Sequence, residues 1–229
     1  MYLIGMIIFL FFLQAAVGMW ERRMVWPYGK PDLTVKFDNP SSYGAKRVSE
    51  AVQNGFQLLG LAPDLKGKMY RINYALLVSP KRDCFVIIGM GTILGKRLEG
   101  TWIHSPIADG RSYYTTDKQT CVEIDVSRSW KSQLVPVRSF SELWKKHCEW
   151  IQHNSLTAYS LSKGHELEGF RKLREDHFRT MRNNGLIEFT DSSATYWRYT
   201  IIGALKNSAL NYFIGLSRAV SFGRFPRTA

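Results

Sequence analysis

From Tyr2 to Trp20 the chain carries no charged side chain, and its centre reads Ile7-Ile8-Phe9-Leu10-Phe11-Phe12-Leu13. As a helix rising about 1.5 Å per residue, the run is roughly 28 Å long, close to the hydrocarbon thickness of a bilayer. In lipid every backbone N–H and C=O must be satisfied within the segment, which makes a helix the required form. A single transmembrane helix acting as a signal-anchor is therefore expected over residues 1–20. Trp20 and Trp26 lie at and beyond its end with Arg22, Arg23 and Lys30 among them, the aromatic and cationic edge of a membrane interface. A cleaved signal peptide is the rival, since Ala16-Val17-Gly18 offers small residues. However, no positive residue precedes the run, and Arg22 and Arg23 directly after it resist export. The same bias puts the N-terminus outside and the remainder in the cytoplasm.

The chain as a whole has a globular composition. Of the 229 residues 45% are hydrophobic and 14% aromatic, which excludes a disordered chain. The formal charge is +12, from 31 Lys+Arg against 19 Asp+Glu. That sign points to anionic partners: lipid headgroups, an acidic protein or, more weakly, nucleic acid. Cys84, Cys121 and Cys148 form no CxxC pair and are odd in number, so neither a disulfide framework nor a structural zinc site is expected.

Organisation can be read from punctuation and period. Pro27, Gly29, Pro31 and Pro40 mark residues 21–40 as a juxtamembrane tether. An α+β sheet domain is expected over 41–138. Ser41 and Ser42 cap a helix reaching Asn54, and Gly55 stops it. β-branched and aromatic runs at 70–78 and 84–88, joined through Ser79-Pro80-Lys81-Arg82-Asp83, predict a hairpin. Shorter strands are expected at 92–94, 101–105, 111–115 and 120–124. Short connections between five or six strands predict an antiparallel sheet with flanking helices.

The region 139–229 is predicted to be helix-rich. Ser139-Phe140-Ser141-Glu142 fits a capping box before the stripe Leu143, Trp144, His147, Trp150, Ile151. A second helix spans about Lys163 to Arg182, and Asn183-Asn184-Gly185 ends it. A small hairpin is expected over 186–200, turning at Asp191-Ser192-Ser193. A last helix then starts near Ile201, with Ile202, Leu205, Ala209 and Tyr212 on its apolar face.

Most chemical motifs fail on register. In Gly89-Met90-Gly91-Thr92-Ile93-Leu94-Gly95-Lys96 a phosphate loop would need glycine where Met90 stands and Ser or Thr where Arg97 stands. Leu94 occupies the third glycine position of a dinucleotide loop. The histidines His104, His147, His153, His165 and His177 complete no tetrahedral set, and there is no GxSxG elbow. No catalytic residue, metal site or cofactor is assigned, and the chain is read as more a binding protein than an enzyme. The leading expectation is a membrane-anchored basic binding or regulatory domain, with Trp20, Arg22, Arg23, Trp26, Lys30 and Arg218 at the lipid. Arg171, Lys172, Arg179, Arg182 and Arg198 are the candidates for an anionic partner. Their helix and trailing hairpin have the outline of a winged nucleic-acid-binding domain, although residues 157–162 are too short for its preceding helix. An enzyme using His104 or Asp109 between sheet and helices is the third reading.

Overall fold

The computed structural model describes residues 2–20, 23–24, 42–66, 70–93, 96–107, 111–117, 130–194 and 196–209. The chain divides into two units. A hairpin unit holds Met1–Val25, Ile124–Ser127 and Glu175–Ala229, and a sheet unit holds Trp26–Glu123 and Arg128–Arg174.

The sheet unit begins with helix α2 (Tyr43–Gln53). Ser42 caps it, its side chain accepting from Ala45 N, and Asn54 closes it. Gly55 stands next at φ +84°, a left-handed conformation that glycine adopts without a Cβ penalty. Six strands come after it: β2 (Gln57–Lys66), β3 (Tyr70–Val78), β4 (Phe85–Ile93), β5 (Lys96–Pro106), β6 (Ser112–Thr116) and β7 (Trp130–Leu134). They lie side by side in chain order. The 79–83 loop is a hairpin connection as predicted, held by Ser79 Oγ, which accepts from the N–H groups of Asp83 and Cys84.

Both faces of this sheet are covered, and the period-2 alternation of the strands divides their side chains between them. Ala75, Leu77, Val86 and Ile88 meet α2 and α3 (Phe140–His153) through Val48, Ala51, Phe140 and Leu143. Leu76, Val78, Phe85 and Ile87 meet Leu161 and Phe170 on the other side. Phe170 stands in α4 (Glu166–Asn183), within which the boundary between the units falls. Double coverage explains why residues 74–78 of β3 and 85–88 of β4 read as unbroken hydrophobic runs.

Two expectations are corrected. The sheet is mixed, because β7 runs parallel to β6 in the register Ser112↔Trp130 to Thr116↔Leu134. Residues 117–129 supply a connection of the length that parallel pairing requires, which short connections elsewhere had obscured. The strand expected at 120–124 lies outside the described residues.

The second correction concerns the N-terminal run. It is helical, forming α1 (Tyr2–Trp20). Yet among the described residues no helix is long and apolar enough to cross a membrane. This overturns the expected transmembrane anchor, the single-pass signal-anchor arrangement, and the membrane localisation with a cytoplasmic domain. Physically, the C-terminal end of α1 packs on protein: Ala15 is 3% exposed and packs with Phe178, Trp197, Tyr199 and Ala204.

That cluster is the core of the hairpin unit. β1 (Arg23–Met24), β8 (Ile187–Phe189) and β9 (Tyr196–Tyr199) form an antiparallel sheet in the order β1-β9-β8. A fifth helix, α5, is described over 201–209. Thr200 Oγ1 accepts from Gly203 N and donates to Gly185 O, tying the start of α5 to the end of α4. The buried side of α5 carries Gly203, Ala204 and Ser208, while Ile202 is 59% exposed. The expected apolar face is therefore rotated, because α5 approaches Leu186 too closely for large side chains. A Cβ at Gly203 would lie 1.8 Å from Leu186 O.

The same geometry predicts a contrast between two glycines. At Gly44 an added Cβ would meet the flexible Met90 side chain, with Sδ at 2.1 Å. Gly203→Ala should cost about 3 kcal/mol and Gly44→Ala no more than about 1 kcal/mol, because a thioether can swing aside and a backbone carbonyl cannot. Native-state hydrogen exchange at the β9 and β4 amides would measure each loss within its own unit.

Candidate functional site

Helix α2 carries Tyr43, Arg47 and Glu50 at helical spacing, and these meet Asp117 at the end of β6. Arg47 Nη2 donates to Asp117 Oδ2 at 2.9 Å, with side chains 4% and 1% exposed. Tyr43 OH donates to the same oxygen at 2.6 Å, and Thr101 N donates to Asp117 Oδ1 at 2.9 Å. Arg47 also reaches Glu50 Oε2 at 3.0 Å and Val137 O at 3.3 Å, and Glu50 Oε2 accepts from Phe140 N at 2.8 Å. Burial and the neighbouring Asp117 charge push the Tyr43 phenol above its ordinary pKa. Every member therefore faces a partner, which is what makes a buried charge tolerable. The arrangement clamps α2, the sheet and the entry to α3 together. Its carboxylate accepts from three donors at once, which suits a structural anchor.

A second polar chain lies between α3 and the sheet. His147 Nε2 is 2.9 Å from Ser105 Oγ, and Nδ1 is 2.8 Å from Thr115 Oγ1. Gln133 Nε2 donates to Thr115 Oγ1 at 2.8 Å, and Trp144 stacks on the imidazole. Serine, histidine and an orienting hydroxyl in series have the outline of an activated nucleophile. The chemistry argues otherwise. The orienting group is a neutral threonine, and Ser105 and His147 are 4% and 1% exposed. Burial lowers the imidazole pKa to about 3, leaving a base too weak for proton abstraction near neutrality. His147 is a hydrogen-bonded core histidine.

Of the remaining reactive groups, Cys84 and Cys148 lie close enough that the second thiol adds to the burial that raises the pKa of the first. Cys84 is buried and Cys148 exposed, with partial desolvation raising the Cys148 pKa to about 11. A thiol so weakly acidic is a poor nucleophile. His104 is 4% exposed and packs edge-on against Tyr114. Asp109 and Cys121 lie outside the described residues. Among the described residues no group of three His, Cys, Asp or Glu side chains is placed to hold a metal ion.

An open concavity lies in the hairpin unit, a hollow of about 1370 Å³ lined by Met19, Trp20, Phe189, Ile201 and Ile202 with Glu188 and Arg198. Trp20, expected at a membrane interface, stands 89% exposed at its rim. Arg23 belongs to β1, while Arg22, Trp26, Lys30 and Arg218 lie outside the described residues. Of the cations expected to meet an anionic partner, Arg171 and Lys172 are exposed on the part of α4 that belongs to the sheet unit, after Glu168, and Arg179 and Arg182 on the part that belongs to the hairpin unit. Arg179 Nη1 is 3.7 Å from Asp176 Oδ1, Arg182 lies over the Phe189 ring, and Arg198 pairs with Glu188 at 2.5 Å. The residues 157–162 before α4 form no helix, so the winged outline lacks that element. The Arg47–Asp117 anchor escaped sequence reading because Asp117 sits in a turn-like Thr116-Asp117-Lys118 segment. The only signal was Tyr43, Arg47 and Glu50 recurring at helical spacing beside Ala51.

Removing one member of the buried pair leaves the other charged and unpartnered. Asp117→Ala should cost the sheet unit about 3–5 kcal/mol, whereas the double substitution Arg47→Met with Asp117→Leu should cost less than the single one. Denaturant midpoints of the three variants would test the ordering. His147 predicts an acid sensitivity. Its folded pKa lies below the unfolded value of about 6.5, so its contribution is complete above about pH 6.5 and is lost as pH falls towards 3. The slope is about 1.4 kcal/mol per pH unit. Between pH 7 and pH 5 the wild type should lose about 2 kcal/mol more than His147→Gln, measured by urea unfolding.

Comparison of the chain with models of protein families, with curated proteins and with solved structures finds no match.

Proposed function

We propose that this chain is a binding domain for an acidic protein, met on the cationic exterior of the sheet unit. The observation that supports the reading is a separation of charge by depth. Among the described residues of the sheet unit, Asp117 and Glu50 are engaged by Arg47, Asp83 by Ser79, and Glu166 by Arg82. The Arg82 guanidinium holds the Glu166 carboxyl below its usual range, so this carboxylate is committed to the β3–β4 turn. Lys46, Lys81, Lys131, Arg138, Lys145, Lys163 and Lys172 are meanwhile exposed, as is Lys146, which pairs with Glu149. The exposed acids Glu142, Glu149 and Glu168 offset only part of that charge. An excess of cations over acids on a surface attracts a polyanion and accelerates its encounter.

A second reading, nucleic-acid binding through α4 and the β8–β9 hairpin, has the strand order β1-β9-β8 in its favour. The pairing of Arg179 with Asp176 and of Arg198 with Glu188 weakens it, because those acids would oppose phosphate.

The two readings separate by salt titration with a glutamate-rich peptide and with random-sequence duplex DNA. The peptide should bind, and its affinity should fall steeply between low and physiological salt. The combined change of Lys131, Lys145 and Lys146 to Glu should lower that affinity about tenfold or more. Duplex binding abolished by Arg179→Glu with Arg198→Glu, and indifferent to the lysine changes, would overturn the proposal in favour of the second reading.

A further inference from the structure

The two edges of the six-stranded sheet differ. At one edge, β2 is broken by register shifts between Leu58 and Gly60 and between Ala62 and Leu65, with Pro63 inside the second. Bulges and proline are devices that blunt an edge against further pairing. At the other edge, β7 pairs with β6 without a shift from Trp130 to Leu134. Val135 N donates to Thr116 O at 2.8 Å, which fixes the phase of this parallel ladder. Successive residues of a strand turn their backbone groups to opposite edges. Lys131, Gln133 and Val135 therefore turn theirs to β6, and Ser132 and Leu134 turn theirs outward. Among the described residues nothing pairs with those outward N–H and C=O groups. Pro136 ends the row, having no N–H to offer.

We propose that β7 takes up an extended acidic segment of the partner as an added strand. The inference rests on the acidic-protein reading above and specifies how that partner is held. In strand addition the main-chain hydrogen bonds supply affinity, and the side chains alternating along the edge select the sequence. The α3 face of β7 carries Lys131, lying over the Tyr113 ring, and Gln133, whose Nε2 donates to Thr115 Oγ1. Gln133 Nε2 also donates to Lys146 O at 3.5 Å, so α3 runs beside β7. On β7, its exit and α3 the exposed cations Lys131, Arg138, Lys145 and Lys146 outnumber the exposed acids Glu142 and Glu149, and Glu149 pairs with Lys146. The opposite face of β7 presents Ser132 and Leu134, both exposed. The strand that fits alternates acidic side chains, beside Lys131, with apolar ones, beside Leu134. The same excess of cations disfavours β7 of a second copy, which would bring like charge against like.

Fluorescence anisotropy with the full chain tests this. The probes are a labelled peptide of alternating glutamate and valine and the same peptide N-methylated throughout, which keeps every charge and removes every backbone donor. The unmodified peptide should bind, and the methylated one should bind about tenfold or more weakly, through loss of several hydrogen bonds. Ser132→Pro removes an outward N–H and leaves the ladder to β6 intact, and it should weaken the unmodified peptide about tenfold. In the wild type, hydrogen exchange at the Ser132 and Leu134 amides should slow as the peptide saturates the chain, a readout that needs no variant. Equal affinity for the two peptides, with both lost on the combined change of Lys131, Lys145 and Lys146 to Glu, would overturn strand addition and leave the acidic-protein reading standing. Unchanged exchange at both amides would likewise overturn strand addition. Binding of neither peptide would overturn the two together.

Discussion

The buried ion pair between Arg47 and Asp117 is the constraint around which the sheet unit is arranged. An arginine and an aspartate that are both almost fully buried stay charged only if each retains its partners. Asp117 therefore fixes where β6 ends, Tyr43 and Arg47 fix how α2 lies on the sheet, and Glu50 fixes where α3 begins. A shift of α2 by one turn would strand the carboxylate in the interior. Apolar packing of Val48 and Ala51 supplies attraction without direction, whereas this network supplies direction.

The same logic separates chemistry from architecture. A serine within hydrogen-bond reach of a histidine invites a catalytic reading, but reactivity requires access and a suitable pKa as well as distance. His147 has neither, because stacking on Trp144 and coverage by the sheet remove the water that would solvate an imidazolium. What remains at the surface is charge. Among the described residues of the sheet unit, Asp117, Glu50 and Glu166 are engaged by arginines, while Glu142, Glu149 and Glu168 stay exposed beside the lysines. The hairpin unit pairs Arg179 and Arg198 with nearby acids and exposes apolar surface instead.

Local signals alone determined much of the secondary structure. Ser42 and Ser139 accept hydrogen bonds three residues on, at the caps the pattern marked, because capping is a property of four consecutive residues. The β3–β4 hairpin and the β8–β9 hairpin were legible for the same reason: turn chemistry and β-branched runs act within a dozen residues. The apolar N-terminal run is helical, but the membrane span expected of it is not supported among the described residues.

Only the tertiary structure decided what those elements meet. The parallel placement of β7 depends on where the chain returns to the sheet after β6, which no local period records. Whether α1 spans lipid or packs on protein depends on Trp197, Tyr199 and Ala204, residues far away in sequence that close over Ala15. The partnership of Arg47 with Asp117 likewise joins positions separated by most of a sheet. Hydrophobicity and capping are encoded by neighbours in the chain, while burial of a charge and the hand of a strand pairing are settled by neighbours in space.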